Sequence, residues 1–369
     1  MNQLFRWDQM GLFLLALAAG ILPFTVSEVC AAALREGLTL CSGPLLLSLF
    51  PFLVVSRLLI QCPESDLLAL PFRLAAWGIG IRTPCAARVL CIGFLGGFAP
   101  AASAAAQAVR TGQLTAEEAD ALLPACICSG PSFVVLTVGQ SLLGSAELGV
   151  LLFASQITAN YLTAALLNRF AGVRSVKPGS AAPASPAPPR LDEILADAAI
   201  TYCKLCGFIL FFRMLAAGAG ALLPAGAGAL CSILLEVCSG CDLASRTGRW
   251  GSLLCCAALS VQGLSVLLQV RTICPPEMTL RPLYRARMLH LPLSLALFYL
   301  LLPGGEADVF STLPARVFLM RRVPPDCALL VFAVCCMAAC TLRSGIRQVE
   351  QKQMARNAGG CCINSKTLL

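Results

Sequence analysis

The sequence predicts an all-α polytopic membrane protein, and three observations predict it. Of 369 residues, 58% are hydrophobic and only 12% are charged, far from the balance of a soluble globular chain. Uncharged apolar runs recur along nearly the whole length, and the longest reach the roughly 20 residues that a helix needs to cross a bilayer. These runs are continuous rather than alternating with a period of two, and aromatic residues make up only 7%, which excludes an outer-membrane barrel. A soluble enzyme carried on a single anchor is excluded as well. The formal net charge of +8 comes from Lys and Arg in the connections and in the tail from Arg343 onward, the pattern of cytoplasmic flanks. It gives no reason to expect nucleic acid as a partner; the lipid bilayer is the partner it implies.

The first segment, about residues 9 to 27, follows a nearly uncharged amino terminus and lacks a small-x-small cleavage site, so it reads as a retained helix and not a signal peptide. Further segments follow near 44–61, 89–109, 121–143, 148–168, 198–222, 223–241, 250–270, 288–303 and 327–342. These ten candidates give about eight to ten crossing helices. The stretch Ala171 to Arg190 carries Pro178, Pro183, Pro186, Pro188 and Pro189 among Ala and Ser and cannot be helical. It separates a first membrane half (1–170) from a second (191–343), which a basic tail (344–369) follows. Arg169, Arg174, Lys177 and Arg190 flank this linker and place it in the cytoplasm.

Most of the 21 cysteines sit inside apolar runs, where Cys packs as a small hydrophobe. Cys203/Cys206 and Cys238/Cys241 have zinc-like spacing, but both pairs lie in membrane segments and the sole histidine is His290, so neither metal nor cofactor is expected.

Charge placement raises a parity problem. Arg73, Arg82 and Arg88 mark a second cytoplasmic loop, and three segments lie between it and the linker where an even number of crossings is required. One segment must therefore enter and leave on the same side. The fourth, broken by Gly130-Pro131, is the expected re-entrant element. The second half repeats the pattern between Arg246/Arg249 and the tail, with the expected break at Gln262-Gly263. If both re-enter, segments three to five and seven to nine have opposite orientation, an inverted repeat of the kind secondary transporters use. Arg316, Arg321 and Arg322 would then lie outside, and an ordinary ten-helix bundle with weak charge bias is the alternative.

A charged side chain in hydrocarbon costs at least about 2.5 kcal/mol, so charges inside segments are functional candidates. Glu236 precedes Ser239-Gly240, where a helix can unwind, and is a candidate for a coupling proton or cation; the structural alternative is an interfacial acid paired near Arg246 and Arg249. Arg213, Lys204 and Arg57 offer positive charge to an anion, although long basic side chains near helix ends also snorkel. Ser129, Gly130, Pro131 and Ser132 begin a half-helix whose free N–H groups favour an anion. Gln262, Ser265 and Gln269 flank Gly263, and Gln156 and Asn160 lie four apart on the fifth segment; each set suits a polar ligand or helix-helix hydrogen bonding equally. Arg287 and His290 open the ninth segment, where a lone interfacial histidine is structural or a proton-linked gate. No His-Glu-x-x-His, Gly-x-Ser-x-Gly or phosphate-loop signature occurs, so no catalytic residue is expected.

Over about residues 40 to 305 the chain resembles the YlbJ-type sporulation integral membrane proteins of endospore-forming Firmicutes, which carry the nucleoside-recognition or gate domain. The resemblance rests on Gly97-Phe98, Gly112, Glu118-Ala119, Ser129-Gly130-Pro131-Ser132-Phe133 and Gly139, then Asn160, Leu234-Leu235-Glu236 with Ser239-Gly240, Gly263-Leu264-Ser265 with Gln269, and Arg287-x-x-His290. It implies a multi-pass bacterial membrane protein of spore formation, in the cell membrane or the mother-cell-derived membrane around the forespore, that moves a small carboxylate anion such as dipicolinate. The family's Gly-Tyr-Pro-x-Gly-Ala-Lys run reads Gly97-Phe98-Ala99-Pro100-Ala101-Ala102-Ser103 here, and its Asn pair is replaced by Ile127 and Cys128. Those departures favour the second function class, a non-transporting membrane scaffold of the sporulation machinery.

Overall fold

The structure, a computed structural model, describes residues 2–61, 66–171 and 191–302. The linker, the tenth apolar segment, Arg316, Arg321, Arg322 and the basic tail lie outside the described residues. Within them the chain is helical, with no strand. The stretches Ala146–Ala171, Leu191–Leu222 and Gly248–Ile273 are long and apolar enough to cross a membrane, and Leu15–Thr25 with Ser27–Ser42 forms a fourth candidate bent by 110°. Together with the composition, these helices make the chain an all-α, multi-pass membrane protein.

The first half opens with α1 (Asn2–Thr25), α2 (Ser27–Ser42), α3 (Pro44–Gln61) and the short α4 (Leu70–Gly78). The first apolar segment therefore does not end the amino-terminal element. The chain turns at Val26, and the more polar α2, absent from the hydropathy reading, packs along α9 (Leu191–Leu222). Next come α5 (Pro84–Gly96) and α6 (Phe98–Arg110), each 13 residues and so about 20 Å long, too short to cross a core of about 30 Å. They fold back on one another. A Cβ built on Gly93 would lie 3.2 Å from that of Ala101, whereas eight residues along a straight helix span about 12 Å.

The α7 helix (Ala116–Cys126) starts with a capping box between Thr115 and Glu118, stops at Ile127, and resumes as a π-helix over Ser132–Leu142. It does not reverse, because it runs the length of α8 (Ala146–Ala171) in the opposite direction. Gly139 lies against Gly149, while Asn160 reaches the Ile127 carbonyl and Asn168 that of Ala121. The expected re-entry at Gly130-Pro131 is thus corrected: segment three folds back, and segment four is a broken but continuous span. A proline removes one hydrogen bond and bends a helix, whereas reversal needs two short helices with small residues facing each other.

The second half repeats this order. After α9, the helices α10 (Ala225–Leu235) and α11 (Val237–Ser245) fold back, with a Cβ on Gly240 only 2.9 Å from Ile233 Cα. The span α12 (Gly251–Val261) and α13 (Gly263–Ile273) is broken at Gln262, and α14 (Arg281–Leu301) closes the described chain. Segment seven, not segment eight, is therefore the one that folds back. Thr83 donates to Glu118, and Asp120 accepts from Thr279 and Leu280, so the starts of α5, α7 and α14 share one end of the bundle, here the linker end. The first fold-back enters from the linker end and the second from the opposite end, an inverted arrangement in which each tip meets the break of a span, Gly97 at Gly130 and Leu235 at Gly263. Arg246 and Arg249 consequently lie at the end opposite Arg82, so the expectation that both loops face one compartment does not hold. Arg88 is no loop marker either; it is buried in α5 and bonds the Ile60 carbonyl at 2.8 Å and Gln113 at 2.9 Å.

Candidate functional site at the crossing of two helix breaks

The site begins with a missing proton. In a continuous helix the N–H of residue 131 would bond the carbonyl of residue 127, but Pro131 has none. The freed Ile127 carbonyl, fully buried, becomes the meeting point of the two halves. It accepts hydrogen bonds from Arg287 Nη2 at 2.6 Å, Asn160 Nδ2 at 3.2 Å and Gln262 Nε2 at 3.4 Å. Gln262 is itself the second break: its left-handed backbone (φ 62°) ends α12 and leaves the Ser260 carbonyl facing Arg287 Nη1 at 3.5 Å. One guanidinium thus bridges both breaks.

A hydrogen-bonded layer supports it. Gln156 donates to Ser260 Oγ at 2.9 Å, Ser260 and Ser294 hydroxyls are 2.5 Å apart, and His290 Nε2 lies 3.2 Å from the Gln156 carbonyl. The sequence reading put His290 at an interface; the structure buries it to 1% exposure in the middle of this layer. Arg287 Nε, His290 Nδ1, Gln262 Oε1 and Gln269 Oε1 are buried with no hydrogen-bond partner among the described residues. Leaving such groups unpaired costs about 1 to 3 kcal/mol each, which a polar ligand would recover. No carboxylate among the described residues pairs with Arg287.

The other sequence-read residues fall into distinct places. Ser129 and Ser132 flank the first break, and their side chains make no hydrogen bond among the described residues; Gly130 packs against the Gly97 turn. Ser265 accepts from Gln269 at 2.9 Å within α13. Glu236 is the N-cap of α11: its carboxylate accepts from Cys238 N at 2.8 Å, Ser239 N at 2.7 Å and Ser239 Oγ at 2.8 Å. It is not paired with Arg246, which binds Asp242, nor with Arg249, which stacks on Trp250. With Gly240 it builds the second fold-back tip.

Arg213 does not join the central layer; it pairs with Glu36 of α2 at 2.7 Å. Arg57 pairs with Asp197 of α9 at 2.5 Å, and Lys204 is exposed. The cysteines of Cys203/Cys206 and Cys238/Cys241 are free thiols, and no group of three metal-ligating side chains occurs among the described residues. Sequence reasoning missed Ser260, Ser294 and the Ile127 carbonyl. The serines look like any small residues in an apolar run, but the carbonyl was recoverable from the position of Pro131. No family model, curated protein or solved structure matches the chain.

Proposed function

We propose that this protein is a secondary-transporter-like membrane protein of the YlbJ type, moving a small carboxylate anion such as dipicolinate across a bacterial membrane during spore formation. The observation that carries this reading is Arg287, buried where two broken spans cross and, among the described residues, bonded only to the carbonyls of Ile127 and Ser260 and without a carboxylate partner. A buried cation held by backbone dipoles alone is costly, and an incoming carboxylate both compensates it and matches its planar fork. Two fold-backs entering from opposite ends leave irregular backbone at mid-depth, the arrangement that alternating access around a fixed site uses.

The test is flux of radiolabelled dipicolinate into proteoliposomes. Wild-type protein should exceed empty liposomes, and Arg287→Gln should reduce the rate by about 10- to 100-fold, the loss of roughly 1.5 to 3 kcal/mol of charged hydrogen bonding. Folded wild-type protein with no flux would overturn the reading, and normal dipicolinate content in spores of a deletion strain would favour the scaffold function instead.

A further inference from the structure

A second basic site lies away from the crossing, at the linker end. There a cavity of about 170 Å³ opens between α3, α6, α9 and α13, and Arg57, Ser103, Arg110, Asp197, Thr201 and Lys204 line it. We propose that this cavity binds a phosphate group.

Three observations point to that ligand. Arg57, 9% exposed, commits one Nη to Asp197, while its buried Nε has no partner among the described residues. Arg110 and Lys204, which are exposed, form no ion pair among the described residues, so three cations face one carboxylate and leave a surplus of two positive charges. The cations project from three helices and approach from different directions. That suits the several oxygens of a tetrahedral dianion better than the single plane of a carboxylate, whose two oxygens one arginine fork would satisfy. Ser103 and Thr201 add hydroxyl donors that have no other hydrogen bond among the described residues.

The phosphate can come from the headgroup of an anionic phospholipid or from a free solute. Ile200 lines the cavity and is 55% exposed on the outer face of α9, an apolar edge along which an acyl chain would lie. This site shares no residue with the Arg287 crossing, so failure of either proposal leaves the other standing.

The experiment uses the full chain purified in a neutral detergent and measures Tm against inorganic phosphate, with sodium chloride of equal ionic strength as the control. A parallel series uses nanodiscs of phosphatidylcholine with or without phosphatidic acid. Phosphate is expected to raise Tm progressively as it binds the folded state, and the double variant Arg110→Gln, Lys204→Gln to need at least about tenfold more for the same shift. Both side chains are exposed, so the variant folds; Lys204→Arg, keeping the charge, should retain the response. A response to phosphatidic acid alone assigns the site to lipid, and a response to inorganic phosphate as well assigns it to the phosphate group itself. Equal shifts with chloride, no shift in either series, or an unchanged response in the double variant overturns the proposal.

Discussion

The two fold-backs have the same shape and opposite chemistry. In the first, between α5 and α6, the reversal is made by Gly97, whose backbone (φ 82°, ψ −163°) lies in a region essentially open to glycine alone; a Cβ there would sit 2.6 Å from Gly130 N. In the second, between α10 and α11, the turning residue Glu236 has ordinary extended backbone, and its carboxylate holds the new helix by accepting three hydrogen bonds. The glycine of that crossing belongs instead to the facing span: Gly263 has φ 70°, and a Cβ on it would lie 2.9 Å from the Leu235 carbonyl. At the first crossing the tip's Gly97 faces the span's Gly130, whereas at the second the span's Gly263 faces Leu235 and Glu236 of the tip. Topology can repeat inversely while residue identities at equivalent places do not.

Substitutions at these points should separate in size. Gly97→Ala combines a forbidden backbone with a clash against the facing backbone and should cost roughly 3 to 5 kcal/mol, read as loss of the folded fraction on thermal unfolding in detergent. Gly263→Leu belongs with it: leucine has the better helix propensity, but the positive φ and the approach to Leu235 make it destabilising. Near wild-type Tm for Gly97→Ala would show that the first tip does not press on Gly130.

Glu236→Gln should have an intermediate effect. The amide keeps one acceptor but directs a second donor at the N–H groups of Cys238 and Ser239, so α11 loses about 1 to 2 kcal/mol of capping. Glu236→Asp keeps the charge and places a favoured N-cap residue at this position, so it should retain most of the capping. If Glu236→Gln leaves Tm unchanged while flux falls, the carboxylate acts on a transported ion and not as a cap.

The smallest stability effect is expected for Gly130→Ala with Pro131→Ala. A Cβ on Gly130 meets nothing closer than 3.4 Å, so Tm should move by the equivalent of less than about 1 kcal/mol. Flux should nonetheless fall, because the new N–H of residue 131 can claim the Ile127 carbonyl and displace Arg287. Unchanged flux in that variant would remove Ile127 from the site.

By itself the sequence determined the helical, multi-pass character of the chain, because hydrophobicity summed over 20 residues is a property of composition that no packing can reverse. It also located both breaks, since Pro131 lacks an N–H and Gly263 lacks a Cβ wherever they fall in a fold. Only the tertiary structure decided which segments reverse: α5 and α6 look like one apolar run until Gly97 meets Gly130, and α10 and α11 until Gly263 fits beneath Leu235. It decided as well which arginine has no carboxylate partner among the described residues. Arg57, Arg213 and Arg287 are equivalent to a hydropathy scale, but the acids that pair with the first two, Asp197 and Glu36, lie 140 and 177 residues away in the chain, and pairing over such separations is set by packing alone.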